Sequence, residues 1–201
     1  LGDIEITEDE KNLYTVNLND KMLYRVPVVN AATPTFTATD IDRFSMPTPS
    51  GCATADVRPF GLGVQDGTLY AGMVCTAQST QLAGDLHAYV YSFNGTSFGQ
   101  QPVLDFPLNY TRGCADQVPN NPGCSDPNSA NKKADWNPWV STFEGLLVKS
   151  RTANLNTRVP IYPQPQLSDI EFASGYMIVG LRDRNGDMFG NGTGDPRDNG
   201  N

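Results

Sequence analysis

The stretch SDIEFASGYMIVG, Ser168–Gly180, decides the fold. It alternates, turns through Ala-Ser-Gly, and continues as a second run of β-branched, aromatic and small residues. That is the pattern of a hairpin, because successive side chains of a strand point to opposite faces. The same design occurs near the start, in GDIEITEDEKNLYTVNL (Gly2–Leu18), and in the middle, in PFGLGVQDGTLYAGMV (Pro59–Val74). Three copies of one hairpin predict repeated architecture, and no catalytic signature accompanies them.

Outward from these copies, further strands are expected at Met22–Val29, Leu86–Phe93 and Val103–Phe106. With short turns between them, the first two copies extend into meanders. Ala31–Ala55 is rich in Pro and Thr and reads as surface loop with one edge strand. Asn109–Asn137 reads as a long polar loop, Gly145–Lys149 as another strand, and Val159–Gln166 as an extended connector. After Leu181 the chain runs into a Gly/Asn/Asp tail, 183–201, without a core of its own. Nineteen Gly, fifteen Pro and no long helical period agree with many short strands. The chain is therefore expected to be all-β and one domain over 1–201.

Self-similar four-stranded units that bury their faces only against neighbours point to a β-propeller. Roughly three blades are visible, and a closed ring takes about four to eight, so the ring is incomplete. A β-sandwich is the alternative. Leu1 stands within a strand-like run, as expected of a processed piece of a longer protein.

The combination GDIEIT…LYTVNLND…LYRV, then GC…RPFGLGV…LYAGMVCTA…AYVYSF, then YPQPQLSDIEF…IVGLRDRNGD resembles a propeller-like region of large bacterial secreted and cell-surface proteins, one associated with SdrD B-like repeat domains. The similarity spans most of the chain. It implies the fold and an extracellular or surface setting, and leaves activity open.

A net charge of −8 removes the basis for nucleic-acid binding, which needs clustered Lys and Arg. No apolar run approaches the roughly 18 residues of a membrane span. Four cysteines without a CxxC pair, and one histidine, His87, disfavour zinc. Two disulfides, Cys52–Cys75 and Cys114–Cys124, are the favoured pairing, since the second closes a short loop with no apolar residues to hold it. Disulfides place the protein in an oxidising compartment.

Three constellations merit attention. Asp183, Asn185, Asp187, Asn191 and Asp195 offer oxygens at short intervals in a Gly-rich loop, a chemistry suited to calcium; the counter-reading is a solvated turn. The pattern from Asp183 is similar to the start of an EF-hand loop, but Met188 stands where Gly is needed and no Glu closes the loop. Asp3 with Glu5, and Asp169 with Glu171, place carboxylates on equivalent strands that converge in a propeller, where they would bind cations or share a proton. Gly61 and Gly63 occupy the matching positions of the middle copy and are expected to break that ring, while Arg58, Arg182 and Arg184 are expected to neutralise the acids. Trp136 and Trp139 form either a sugar-stacking platform or, as the burial habit of Trp favours, anchors for the long loop. His87 is expected to be structural.

These features predict an extracellular or cell-surface structural or binding module that takes a protein or carbohydrate ligand, or further copies of itself. Two rivals stand: a calcium-dependent propeller hydrolase or lactonase using the axial carboxylates, and a self-assembling surface-layer or filament subunit.

Overall fold

The computed structural model describes residues 1–28, 37–112, 134–149 and 162–188. Among the described residues the regular structure is mostly antiparallel β-sheet, with few helices. A first meander comprises β1 (Ile4–Ile6), β2 (Asn12–Asn17), β3 (Met22–Pro27) and β4 (Asp42–Ser45), hydrogen-bonded in that order. A second comprises β5 (Val57–Gln65), β6 (Thr68–Cys75), β7 (His87–Phe93) and β8 (Leu104–Pro107). The third copy is a hairpin of β9 (Pro165–Ala173) and β10 (Tyr176–Asp183).

The turns follow from residue type. Between β5 and β6, Gln65 pairs with Thr68 across Asp66 and Gly67, at φ 51° and 72°. Between β9 and β10, Ala173 pairs with Tyr176 across Ser174 and Gly175, at φ 52° and 80°. Two successive residues of positive φ make the two-residue turn whose twist matches a hairpin, which is why Gly holds the second position of both.

The second meander is the middle layer, and its period of two sends alternate residues to different neighbours. Leu62, Leu69, Ala71 and Phe93 pack against Tyr14, Val16 and Leu23 of the first meander. Val74, Ala88 and Val90 pack with Leu167 and Ile170 of β9. Glu8 ties turn to turn, its carboxylate accepting the N–H groups of Asp66 at 3.0 Å and Gly67 at 2.8 Å. The first strands of the three copies thus come together, with β5 contacting both β1 and β9.

The Cys52–Cys75 disulfide forms as expected, with Cα atoms 5.8 Å apart. It fixes the segment before β5 to the end of β6, beside Met73, Tyr89 and Tyr91. Cys114 and Cys124 lie outside the described residues.

One expected strand is a helix: Gly145–Lys149 falls within α1 (Phe143–Lys149). Thr142 explains the difference. Its hydroxyl accepts the Gly145 N–H at 3.0 Å and its carbonyl accepts the Leu146 N–H at 3.1 Å, satisfying first-turn donors that a helix otherwise leaves open. Leu146 is then buried with Val140 and Tyr162. A second short helix, α2 (Asn185–Met188), opens the segment expected to be an unstructured tail. Among the described residues, no helix is long and apolar enough to cross a membrane.

Candidate functional site

The carboxylates of the first and third copies act electrostatically on Glu5. Burial, followed by the charges of Asp3, Glu171 and Asp169, pushes the Glu5 carboxyl up to about 7. Asp3 is fixed more firmly. Its Oδ2 accepts the Leu62 N–H from β5 at 3.0 Å, its Oδ1 accepts the Ile4 N–H at 2.9 Å, and its own N–H donates to the Phe60 carbonyl at 3.1 Å. Asp3 therefore fastens the start of β1 to β5, while Glu5 carries the electrostatic strain of the group.

Gly61 and Gly63 do not separate these acids. A Cβ on Gly61 would stand 2.8 Å from the Asp169 nitrogen, and one on Gly63 would stand 2.3 Å from the Ile170 carbonyl oxygen. Real Cβ atoms do not approach so closely, so the missing side chains are what lets the β9 backbone lie on β5. The expected gap in the ring is the contact that brings the third copy up to the first.

The expected neutralisation by arginine is also corrected. Arg182 pairs with Asp187 at 2.9 Å. Arg58 donates to the carbonyls of Ala55 and Val57 and to Gln78, and Arg184 donates to the Val140 carbonyl. Among the described residues, none of the three pairs with Asp3, Glu5, Asp169 or Glu171. With no cation of the described residues paired to them, the charges of Asp3, Glu171 and Asp169 add to burial in raising the Glu5 carboxyl. No three His, Cys, Asp or Glu side chains of the described residues converge as a metal site.

The expected calcium loop is built differently. Asp183 Oδ1 accepts the N–H groups of Gln164 at 2.9 Å and Asn185 at 3.0 Å. Asn185 is buried, with its Oδ1 taking the Gln164 Nε2 donor at 2.7 Å and its Nδ2 donating to the Tyr162 carbonyl at 2.7 Å. Gln164 completes the set by accepting the Val140 N–H through Oε1 at 2.7 Å. Desolvation raises the Asp183 carboxyl despite those backbone donors. Thus Asp183 and Asn185 join three chain segments, and Asp187 serves Arg182. Asn191 and Asp195 lie outside the described residues.

Trp136 and Trp139 are anchors. Both are buried, with Trp136 donating to the Tyr110 hydroxyl at 3.2 Å and Trp139 to the Pro165 carbonyl at 2.8 Å. Arg112 lies 3.5 Å from the centre of the Trp136 ring, and Arg184 and Arg58 lie 4.0 and 5.6 Å from that of Trp139. Such contacts occupy the indoles as cation–π partners, and the sugar-stacking expectation gives way. His87 Nδ1 stands 3.0 Å from Asp105 Oδ1, on the edge formed by β7 and β8.

Sequence reasoning missed the buried Gln164–Asn185 pair and the cations around Trp139. Their residues are scattered along the chain, and only Arg58-Pro59 and Tyr162-Pro-Gln-Pro-Gln166 hinted at crowded strand entries.

Comparison with known proteins finds relatives in Dictyostelium discoideum. Colossin-A is 26% identical over 191 residues, covering 93% of this chain and 1% of that protein. Colossin-C is 26% identical and Colossin-D 25%, covering 92% and 93% of this chain and 16% of each relative. The chain thus spans a small fraction of the curated relatives it matches. No family model matches it, and no solved structure matches it. These matches do not bear on the bacterial resemblance.

Proposed function

We propose that the chain is an extracellular or cell-surface module of β-propeller-like architecture that works by structure and binding rather than by turnover. One observation carries this: β5 lies between β1 and β9, so three sequential copies stack through their first strands, as blades would. The Cys52–Cys75 disulfide supports an oxidising compartment, and the net charge of −8 argues against nucleic acid as a partner. The ligand class is a protein or carbohydrate at the cell surface. Substituting Glu5→Gln and Glu171→Gln tests the assignment: a binding module keeps its partner affinity. The hydrolase or lactonase alternative rests on the Glu5 carboxyl, held near 7 and suited to proton transfer. Loss of turnover by the same folded variants would favour that enzyme.

Self-assembly is favoured by a separate observation. Ile4 and Ile6 of β1 are 51% and 48% exposed, and Tyr176 and Ile178 of β10 are 74% and 54% exposed. These apolar residues belong to the first and last copies, where an incomplete ring would accept another blade. Sedimentation tests this, with mass rising with concentration if the copies complete one another.

Calcium stabilisation belongs to the same proposal, with Asp183, Asn185, Asp187, Asn191 and Asp195 as the candidate ligands, of which Asp183, Asn185 and Asp187 also give an oxygen to a protein donor. Its test is a rise in melting temperature on calcium titration.

A further inference from the structure

The strand entries that open at the start of β5 and β9 enclose a cleft of about 170 Å³ lined by Lys21, Arg58, Pro59, Phe60, Trp139 and Gln166. The first, second and third copies all contribute to it. Two of its walls are cations that no acid of the described residues holds. Lys21 Nζ donates to the carbonyls of Ala55 at 3.1 Å and Thr54 at 3.5 Å. Arg58 donates to the carbonyls of Ala55 and Val57 and to Gln78 Oε1.

A lysine carries three N–H donors and an arginine five. With two and three engaged among the described residues, one remains on Lys21 and two on Arg58. Among the described residues neither has a carboxylate within ion-pairing distance. Asp56 is the acid whose charge reaches both, and its carboxylate is engaged by the backbone and hydroxyl of Ser79. Burial holds both cations below their ordinary range.

Gln166 supplies the independent observation. It is 7% exposed, it lines the cleft, and its buried Oε1 has no hydrogen-bond donor among the described residues. A buried oxygen without a partner is costly, so a ligand-side donor reaching it would add to affinity.

We propose that this cleft binds a carboxylate carried on a peptide: the carboxylate oxygens take the unspent N–H groups of Lys21 and Arg58, and an adjacent peptide N–H donates to Gln166 Oε1. The stem between them lies on Phe60. An inorganic sulfate offers only acceptors and would leave Oε1 unpaired. A sugar acid needs an open aromatic face, and Trp139 is 7% exposed with guanidinium groups against its ring. This inference rests on the chain being a binding module and names the ligand chemistry of one site.

The test is a nuclear magnetic resonance titration of the 201-residue chain with four probes. Two are capped peptides, one with an internal Glu and an amidated end, the other with Gln and a free C-terminal carboxylate. The others are sodium sulfate and glucuronate. A peptide carboxylate is expected to shift the Gln166 side-chain amide and the Trp139 indole N–H, and the two peptides separate a side-chain source from a terminal one. Lys21→Gln is expected to weaken binding about tenfold, as loss of a charged hydrogen bond implies. Gln166→Met is expected to weaken it comparably while leaving the melting temperature unchanged or raised, because it removes the orphaned oxygen. Absence of shifts with both peptides, equal shifts with sulfate or glucuronate, or wild-type affinity in both variants would overturn the proposal. Such a failure would leave the module assignment to its own test, since Glu5→Gln and Glu171→Gln touch neither Lys21 nor Gln166.

Discussion

The Ile170 carbonyl oxygen lies so near Gly63 that a Cβ on residue 63 would stand 2.3 Å from it. Backbone meets backbone here, and neither strand has a flexible side chain to withdraw. Gly63→Ala is therefore expected to destabilise the chain by about 2–4 kcal/mol, the cost of overpacking where the backbone must shift. Gly84→Ala is the control, because nothing lies within 4 Å of its added carbon, and a change under about 0.5 kcal/mol is expected. Urea unfolding of the two variants checks the pair.

The Cys52–Cys75 bond, between residues 23 positions apart, restrains the unfolded chain. Replacing both cysteines by Ser is expected to cost about 3 kcal/mol by the loop-closure relation. Comparison of denaturant midpoints at a common slope measures it.

Gln164 and Asn185 form a buried polar pair whose atoms also satisfy Val140 and Tyr162. Asn185→Ala removes the acceptor of the buried Gln164 Nε2, a loss worth about 1–3 kcal/mol. Asn185→Asp is expected to be worse at neutral pH than at pH 4, because it buries a charge and removes the donor to Tyr162. Thermal unfolding at the two pH values distinguishes these effects.

The hairpins were legible because strand alternation and turn residues are local signals: Asp66-Gly67 and Ser174-Gly175 announce their own geometry. The Cys52–Cys75 pairing was also within reach, and the repeated Asp-Ile-Glu triplet is what drew attention to Asp3, Glu5, Asp169 and Glu171. Gly61 and Gly63 were misjudged because a missing side chain can mean an absent function or a close approach, and only the partner strand decides which. Leu146-Leu147-Val148 was ambiguous for a related reason, as a short apolar run fits a strand or a buried helix equally; Thr142 was the signal that settles it. The cleft of Lys21, Arg58 and Gln166 was illegible because three separate copies build it.

Glu5 makes stability depend on pH in a defined direction. Its folded-state value of about 7 lies above the ordinary 4.5, so the folded chain binds the proton more tightly than the unfolded one. That contribution is complete below about pH 4.5 and is lost as pH rises through about 7. Glu5→Gln is expected to raise the melting temperature at pH 8 relative to the wild type, by about 2–4 °C once solvent screening is allowed for. At pH 4 the two proteins are expected to melt together, and calorimetry at both values shows the crossover.

The approach of the first and third copies across β5 is tested most directly by titrating the Glu5 carboxyl carbon by nuclear magnetic resonance, in the wild type and in Asp169→Asn/Glu171→Gln. A midpoint of about 7 is predicted for the wild type, falling in the double variant as two of the neighbouring charges are removed. A wild-type midpoint near 4.5, unmoved by the substitutions, would mean that β1 and β9 do not meet across β5 and would contradict the stacked arrangement.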